Sequence, residues 1–380
     1  MKYTLLLCAL ACALYGAAQK TERNVNLIWE ADRLIASYRF DDALNLLQQS
    51  TDTLDIEVIQ RQGYCYFRMG DYASAISAFE SVTAIDSANT NALHQLGQLY
   101  SRNNQYNKAV QCYQQIIATD SLNSFYYKQY AQIASQNNDI KTSIFLYLKA
   151  VSLSPRDIEA YISLGNALLE DELYEVADSI LTHATQINRS PQLRLLLAKA
   201  QLGEKKYREV VQTTEQLMSK GDTIPAYARL LGISYFQLDE FEKVIPCMRF
   251  LSAAGVKAEW IYYYLGVSFQ QTNRPDSAVA YLNKAIEEGI SENISTYYTQ
   301  LATSYESLKD FKSAIKYYKA AYESSKSDIL LYHLARNYDV YYKDKSQAVA
   351  YYKRYLSSDD TIRIAREYTR LRLDELSVYR

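Results

Sequence analysis

The chain has 380 residues, 41 basic and 43 acidic side chains and a formal net charge of −2, a balance that excludes a nucleic-acid footprint and a polybasic membrane patch. Its 11 Gly and 5 Pro, with apolar spacing regular to the end, exclude long disordered linkers. Of 5 cysteines, Cys65, Cys112 and Cys247 lie beyond the leader in different segments, so they read as small buried residues rather than a disulfide framework.

In chain order the first element is a secretory signal peptide expected over residues 1–18. Lys2 precedes an apolar run from Tyr3 to Tyr15, and Gly16, Ala17 and Ala18 supply small residues before a cut at Gln19. That run is short for a membrane span. Ala9-Leu10-Ala11-Cys12 loosely resembles a lipid-attachment box, which gives the alternative of a chain lipidated at Cys12 and associated with an outer membrane. An exported chain without cystines points to a bacterial envelope, and so to the periplasm.

From about residue 24 one small residue recurs. Ala31, Gly63, Gly97, Ala131, Gly165, Ala198, Gly232, Gly266, Ala302 and Ala335 stand 32, 34, 34, 34, 33, 34, 34, 36 and 33 residues apart. A fixed period of this size marks units that must stack to bury their apolar faces. Around each lies one pattern, as in Ile59, Gly63, Tyr66, Tyr72, Ala75, Phe79 and Val82, which predicts two amphipathic helices joined by a tight turn. The second helix supplies its own small residue at Ala43, Ala75, Ala109, Ser143, Ala177, Ala278, Ala314 and Ala348, with Val210 and Val244 as exceptions. Glycine inside a helix costs roughly 0.5–1 kcal/mol relative to alanine, so its recurrence at one register argues for close helix approach. The units are expected near 24–55, 56–89, 90–123, 124–157, 158–190, 191–224, 225–258, 259–292, 295–327 and 328–359, within an array covering 19–359 and forming one continuous superhelix.

Three departures are local. Pro246 is predicted to kink or restart the second helix of the seventh unit. The junction before Ala302 is stretched, and one extra residue enters the turn between Ala335 and Ala348. The segment 360–380 is expected to be a solvating cap helix with Ile364, Tyr368 and Leu371 on one side, and Arg363, Arg366, Glu367, Arg370 and Asp374 elsewhere.

The repeated segment, quoted as "NALHQLGQLYSRNNQYNKAVQCYQQIIATD", resembles the tetratricopeptide repeat family over about residues 24–359. Pro155, Pro191 and Pro225 fall at junctions between units. The resemblance implies an all-α fold: a right-handed superhelical α-solenoid of about ten helical hairpins with a C-terminal capping helix. Asp followed by Ser or Thr and a small or aliphatic residue places candidate acceptors at Thr53, Ser87, Ser121, Ser179, Thr223, Ser277 and Thr361. That motif resembles the O-glycosylation sequon of Bacteroidota envelope proteins, although Asp-Ser and Asp-Thr also make turns and helix caps.

Chemistry is sparse. His94, His183 and His333 sit in separate units without metal-ligand spacing, and there is no phosphate loop or nucleophile elbow. The expectation is a non-enzymatic chain with no cofactor and no metal. The resemblance further implies that the first helices line a concave surface with the second, fifth, ninth and twelfth places of each unit. Those places supply Arg229, Ile233, Phe236, Trp260, Tyr263 and Val267 in the C-terminal half. Nearer the N-terminus they supply a more polar set that includes Gln60, Tyr64, Phe67, Asn91, His94, Gln98, Phe125 and Lys128. Trp, Tyr and Arg dominate binding energy when desolvated at an interface centre, so Phe236, Trp260 and Tyr263 are the leading partner-binding candidates, although aromatics in so Tyr-rich a chain also serve as padding between helices. A carboxylate clamp of the chaperone-binding kind is absent, because Leu196 stands where Asn166 would need its counterpart. The expected partner is a segment or helix of an envelope protein. The alternatives are a spacer or assembly subunit using its convex face, and more weakly a glycan-binding protein.

Overall fold

The computed structural model describes residues 25–50, 54–218, 224–289 and 292–378; the leader, Cys12, Thr53 and Thr223 lie outside them. The described chain is α-helical. The first helices of the hairpins are α1 (25–36), α3 (Ile56–Met69), α5 (Thr90–Arg102), α7 (Ser124–Gln136), α9 (Ile158–Glu170), α11 (Pro191–Gly203), α13 (Pro225–Gln237), α15 (Glu259–Gln271), α17 (Ile294–Ser307) and α19 (Ile329–Tyr341). Their partners are α2 (Phe40–Leu47), α4 (Tyr72–Ile85), α6 (Tyr106–Thr119), α8 (Ile140–Leu153), α10 (Tyr174–Ile187), α12 (Tyr207–Met218), α14 (Phe241–Ala253), α16 (Pro275–Glu288), α18 (Phe311–Ser325) and α20 (Ser346–Leu356). A final helix, α21 (Arg363–Val378), follows.

Every recurring alanine, and every small or valine residue at the matching place of the second helix, is fully buried, from Ala31 and Ala43 to Ala335 and Ala348. The reason for glycine is direct. A Cβ built at Gly97 would stand 2.4 Å from Tyr113 Cε2, at Gly232 2.3 Å from Met248 Cε, and at Gly266 2.6 Å from Leu282 Cγ. In each case the obstructing side chain is 16 residues on, in the core of the same hairpin.

Seven residues after the small residue the backbone turns left-handed. Tyr38, Gly70, Asn104, Asn138, Glu172, Lys205, Asp239, Asn273 and Lys309 all have φ between 57° and 85°. Where Asp follows, it caps the second helix: the Asp71, Asp139 and Asp310 carboxylates accept from the N–H groups of Ser74, Thr142 and Ser313 at 3.1 Å. At Gly70 no atom lies within 4 Å of an added Cβ. Gly70→Ala should therefore cost only the backbone penalty, about 1 kcal/mol, read as a lowered melting temperature in calorimetry.

The extra residue of the last turn breaks this register. Tyr342 has φ −98° and is extended, and the Lys345 ammonium ties the longer loop by donating to the backbone carbonyls of Asp339 and Tyr342. The expected restart at Pro246 does not occur. Helix α14 runs unbroken through it, because the proline falls in the second turn, where the one hydrogen bond forgone would have reached the Glu242 carbonyl in the first.

By packing the described chain falls into two compact units, the first ending at Asn188 and the second beginning at Arg189. Within the second unit, α11 approaches α13 and α15 approaches α17.

The cap helix packs through one face. Its inward residues are Ala365 and Thr369, both buried, with Leu373 and Leu376 packed against Ala335, Ala348 and Tyr352. Ile364 and Leu371 face out, while Tyr368 is half exposed and packs edge-on against Tyr332 beneath Arg336. Arg372 Nε reaches Asp339 Oδ2 at 2.6 Å and fixes that orientation.

Candidate functional site

In the second unit the first helices α13, α15 and α17 present a joined aromatic surface. Phe236 on α13 stacks on Tyr264 of α15 with centroids 4.4 Å apart and planes at 14°. Tyr264 meets Trp260 edge-on at 5.8 Å, and Tyr263 stacks on Tyr297 of α17 at 4.9 Å. The exposed Arg229 guanidinium lies over the Trp260 ring at 5.4 Å, a cation–π contact that holds the indole flat beneath a charge. Phe236, Trp260, Tyr263 and Tyr264 are half-buried. Burial first, then neighbouring tyrosines, raises the hydroxyl pKa of Tyr263 and of Tyr264, with Arg229 opposing part of the rise at Tyr264. Both hydroxyls are therefore neutral donors at ordinary pH.

Five of the six expected residues of this half fall on or beside that surface: Arg229, Phe236, Trp260 and Tyr263, with Ile233 half-buried between them on α13. Val267 does not, being only 6% exposed. Sequence reasoning passed over Tyr264 and Tyr297, which carry two of the stacks; the run Tyr262-Tyr263-Tyr264 was the available signal.

The repeat reading has independent support from family models. Models described as tetratricopeptide repeat match residues 66–133, 261–288 and 295–328, and one described as anaphase-promoting complex, cyclosome, subunit 3 matches residues 136–217. The chain is a tetratricopeptide repeat protein. As such it is a protein–protein interaction scaffold. It is similar to a tetratricopeptide repeat protein from Parabacteroides merdae at 17% identity, covering 66% of this chain and 98% of that one with a TM-score of 0.45. It is also similar to MamA from Desulfovibrio magneticus at 20% identity, 44% and 94% coverage and a TM-score of 0.40. A chain of the APC/C hetero-tetramer Cut9–Hcn1 matches at 12% identity, 90% and 82% coverage and a TM-score of 0.43. No curated protein matches it.

In the first unit of the tetratricopeptide array the expected residues form separate groups. Half-buried His94 packs against Tyr113, Phe125 and Tyr126 with ring centroids 5.3–5.9 Å away. Its Nδ1 pairs with the Tyr113 hydroxyl at 2.9 Å and its Nε2 with the Gln98 amide at 3.2 Å. Burial lowers its pKa, so the ring is neutral at pH 7. Tyr64 lies apart, its hydroxyl accepting from Arg68 at 2.7 Å beside Phe40. Phe67 sits with Tyr72 under the Arg102 guanidinium. Lys128 is committed to Asp157 and Glu159 at 2.8 and 3.0 Å. The space between α5 and α7 is a polar cavity of about 320 Å³ lined by Gln98, Gln129, Gln132 and Gln136.

One apolar feature was missed from the sequence. A cavity of about 580 Å³ opens between α13 and α14 over Leu231, Tyr235, Pro246, Cys247 and Phe250. Burial pushes the Cys247 thiol up to about 11, which keeps it protonated and a poor nucleophile. Among the described residues no group of three or more His, Cys, Asp or Glu is placed to hold a metal, and no helix is long and apolar enough to cross a membrane.

The Asp-Ser and Asp-Thr motifs divide by position. Ser87, Ser121 and Thr361 are exposed in turns, Ser179 is exposed within α10, and Ser277 is half-buried in the first turn of α16. Asp86, Asp120 and Asp360 each accept a hydrogen bond that shapes the turn, from Ala88 N–H at 3.1 Å, Asn123 amide at 3.1 Å and Ile362 N–H at 2.7 Å.

Proposed function

We propose that this repeat protein is a non-enzymatic adaptor of the bacterial envelope that holds a segment or helix of a partner protein against the first-helix face of its second unit. The observation that carries the proposal is the half-exposed aromatic group Phe236, Trp260, Tyr263 and Tyr264 beneath Arg229 on adjacent first helices. Such a surface is already fixed by its own stacks, so a partner loses little side-chain entropy in meeting it. With a net charge of −2, capture is steric and aromatic with little long-range steering.

Replacing both Trp260 and Tyr263 by alanine is expected to weaken partner binding by about 2 kcal/mol or more, the size usual for buried aromatic anchors, while helical circular dichroism stays at the wild-type value. Quantitative co-purification of the partner with each form measures it, and unchanged recovery would reject the site.

Export rests on Lys2, the apolar run after it and Gly16 to Ala18; residence in the periplasm, or outer-membrane attachment through Cys12, is part of the same proposal. A Bacteroidota origin rests on the seven Asp-Ser/Thr motifs. Of these, exposed Ser87, Ser121 and Thr361 in turns offer the most accessible acceptors, and an intact mass equal to the bare polypeptide would reject their modification. A scaffold role through the second helices is the second reading, favoured by Phe145, which stands 68% exposed on α8.

A further inference from the structure

The outer face of α21 is apolar: Ile364 is 80% and Leu371 67% exposed, and between them at helical spacing Tyr368 is 41% exposed, one side of its ring packed edge-on against Tyr332 at 5.8 Å and the rest open. We propose that this face pairs antiparallel with α21 of a second copy of the chain, about a two-fold axis near Tyr368. Thr369, buried against the preceding hairpin, stands 34 residues after Ala335, so α21 occupies the place of an eleventh first helix. In each hairpin a first helix packs on an antiparallel second helix, the direction of pairing that a second α21 would adopt.

Charge fixes the direction. Along one flank of the stripe run Arg363, Glu367, Arg370 and Asp374, alternating in sign at intervals of 4, 3 and 4 residues. A reversed copy is complementary: Ile364 meets Leu371, Tyr368 meets Tyr368, Arg370 meets Glu367 and Arg363 meets Asp374. A parallel two-fold pair would instead set this flank against the opposite flank of the partner helix, which carries Ala365 and Thr369 and is packed on the preceding hairpin. The Arg370 and Asp374 side chains have no ion pair within the described chain, whereas Arg363 and Glu367 already bridge at 2.7 Å and would extend to a network. The two-fold contact is isologous and closes at two copies.

The test is sedimentation equilibrium of the purified protein over a wide concentration range. The expected result is a weight-average mass rising from one chain toward two. Ile364→Glu with Leu371→Glu should hold it at one chain with helical circular dichroism unchanged, since both side chains are exposed. Arg370→Glu alone, and Glu367→Arg alone, should each weaken association about tenfold, because symmetry alters two contacts at once. Combining the two should restore it to within about threefold. A wild-type mass that stays at one chain throughout, or a combined variant no better than its parents, overturns the proposal; the second outcome assigns any association to another surface.

Discussion

Tyr113→Ala is expected to destabilise the first unit by about 3–5 kcal/mol, the cost of deleting a large buried aromatic. The ring is fully buried, and its hydroxyl, pushed up in pKa by that burial, is paired with His94. The more telling comparison is Gly97→Ala measured in two backgrounds. In the wild type the added methyl meets Tyr113 at 2.4 Å, and overpacking of this kind costs about 1–3 kcal/mol, which outweighs the helix-propensity gain of about 1 kcal/mol. In the Tyr113→Ala background the obstruction is gone and only the gain is left. Gly97→Ala should therefore destabilise the first form and stabilise the second, a reversal of sign readable by urea denaturation monitored at the helical signal. If the substitution lowers stability in both backgrounds, glycine is at this register for a reason other than close approach.

Arg372→Ala is expected to cost about 2–3 kcal/mol and to act locally. Asp339 is 5% exposed and lies between Arg372, Lys345 and Tyr352. Burial by itself raises its pKa, but the hydrogen bonds and charge of Arg372, with Lys345, more than offset this and hold the carboxyl below its usual value. Losing one partner of a buried pair usually costs 3–5 kcal/mol; Lys345 remains, and the Arg372 side chain is 33% exposed, so the lower figure of about 2–3 kcal/mol applies. Since Arg372 belongs to α21, amide exchange should accelerate there while α3 to α8 keep wild-type protection. The pH dependence follows from the depressed carboxyl. The ion pair's contribution is complete above the unfolded carboxylate value of about 3.9 and is lost as pH falls through the lower folded value. The gap between Arg372→Ala and wild type should accordingly narrow in acid. Restoring neutrality with Asp339→Asn in the Arg372→Ala background should recover part of the loss.

The repeat was legible because it depends on the one requirement that sequence displays without ambiguity, a small side chain where two helices touch. Ala31, Gly97 and Ala335 announce it equally, and the structure buries them alike. The left-handed turn seven residues later was legible too in Asn104, Asn138 and Asn273, but Tyr38, Glu172 and Lys205 at the same register concealed it, since tertiary packing imposes that conformation on residues with no preference for it. The orientation of the cap helix is carried by the 34-residue register ending at Thr369, which is buried, rather than by its apolar residues, since Ile364 and Leu371 are exposed. Val267 stands at a groove place of the pattern and is buried. A groove place carried over from a family pattern says which way a side chain starts, and not whether the neighbouring helix has closed over it. Tyr264 escaped because the aromatic surface depends on ring stacking across helices, which no single-helix pattern records.

The central claim, that partner capture occurs on the first-helix aromatic face of the second unit, is tested most directly by site-specific photo-cross-linking in cells that produce the protein. A photoreactive amino acid is placed in turn at Trp260, on that face, and at Phe145, exposed on the second helix α8. The account predicts a discrete cross-linked protein from position 260 that is absent from position 145 and is lost when Tyr263→Ala is added. The same adduct forming at 145 and not at 260 would contradict it and place the interface on the second helices.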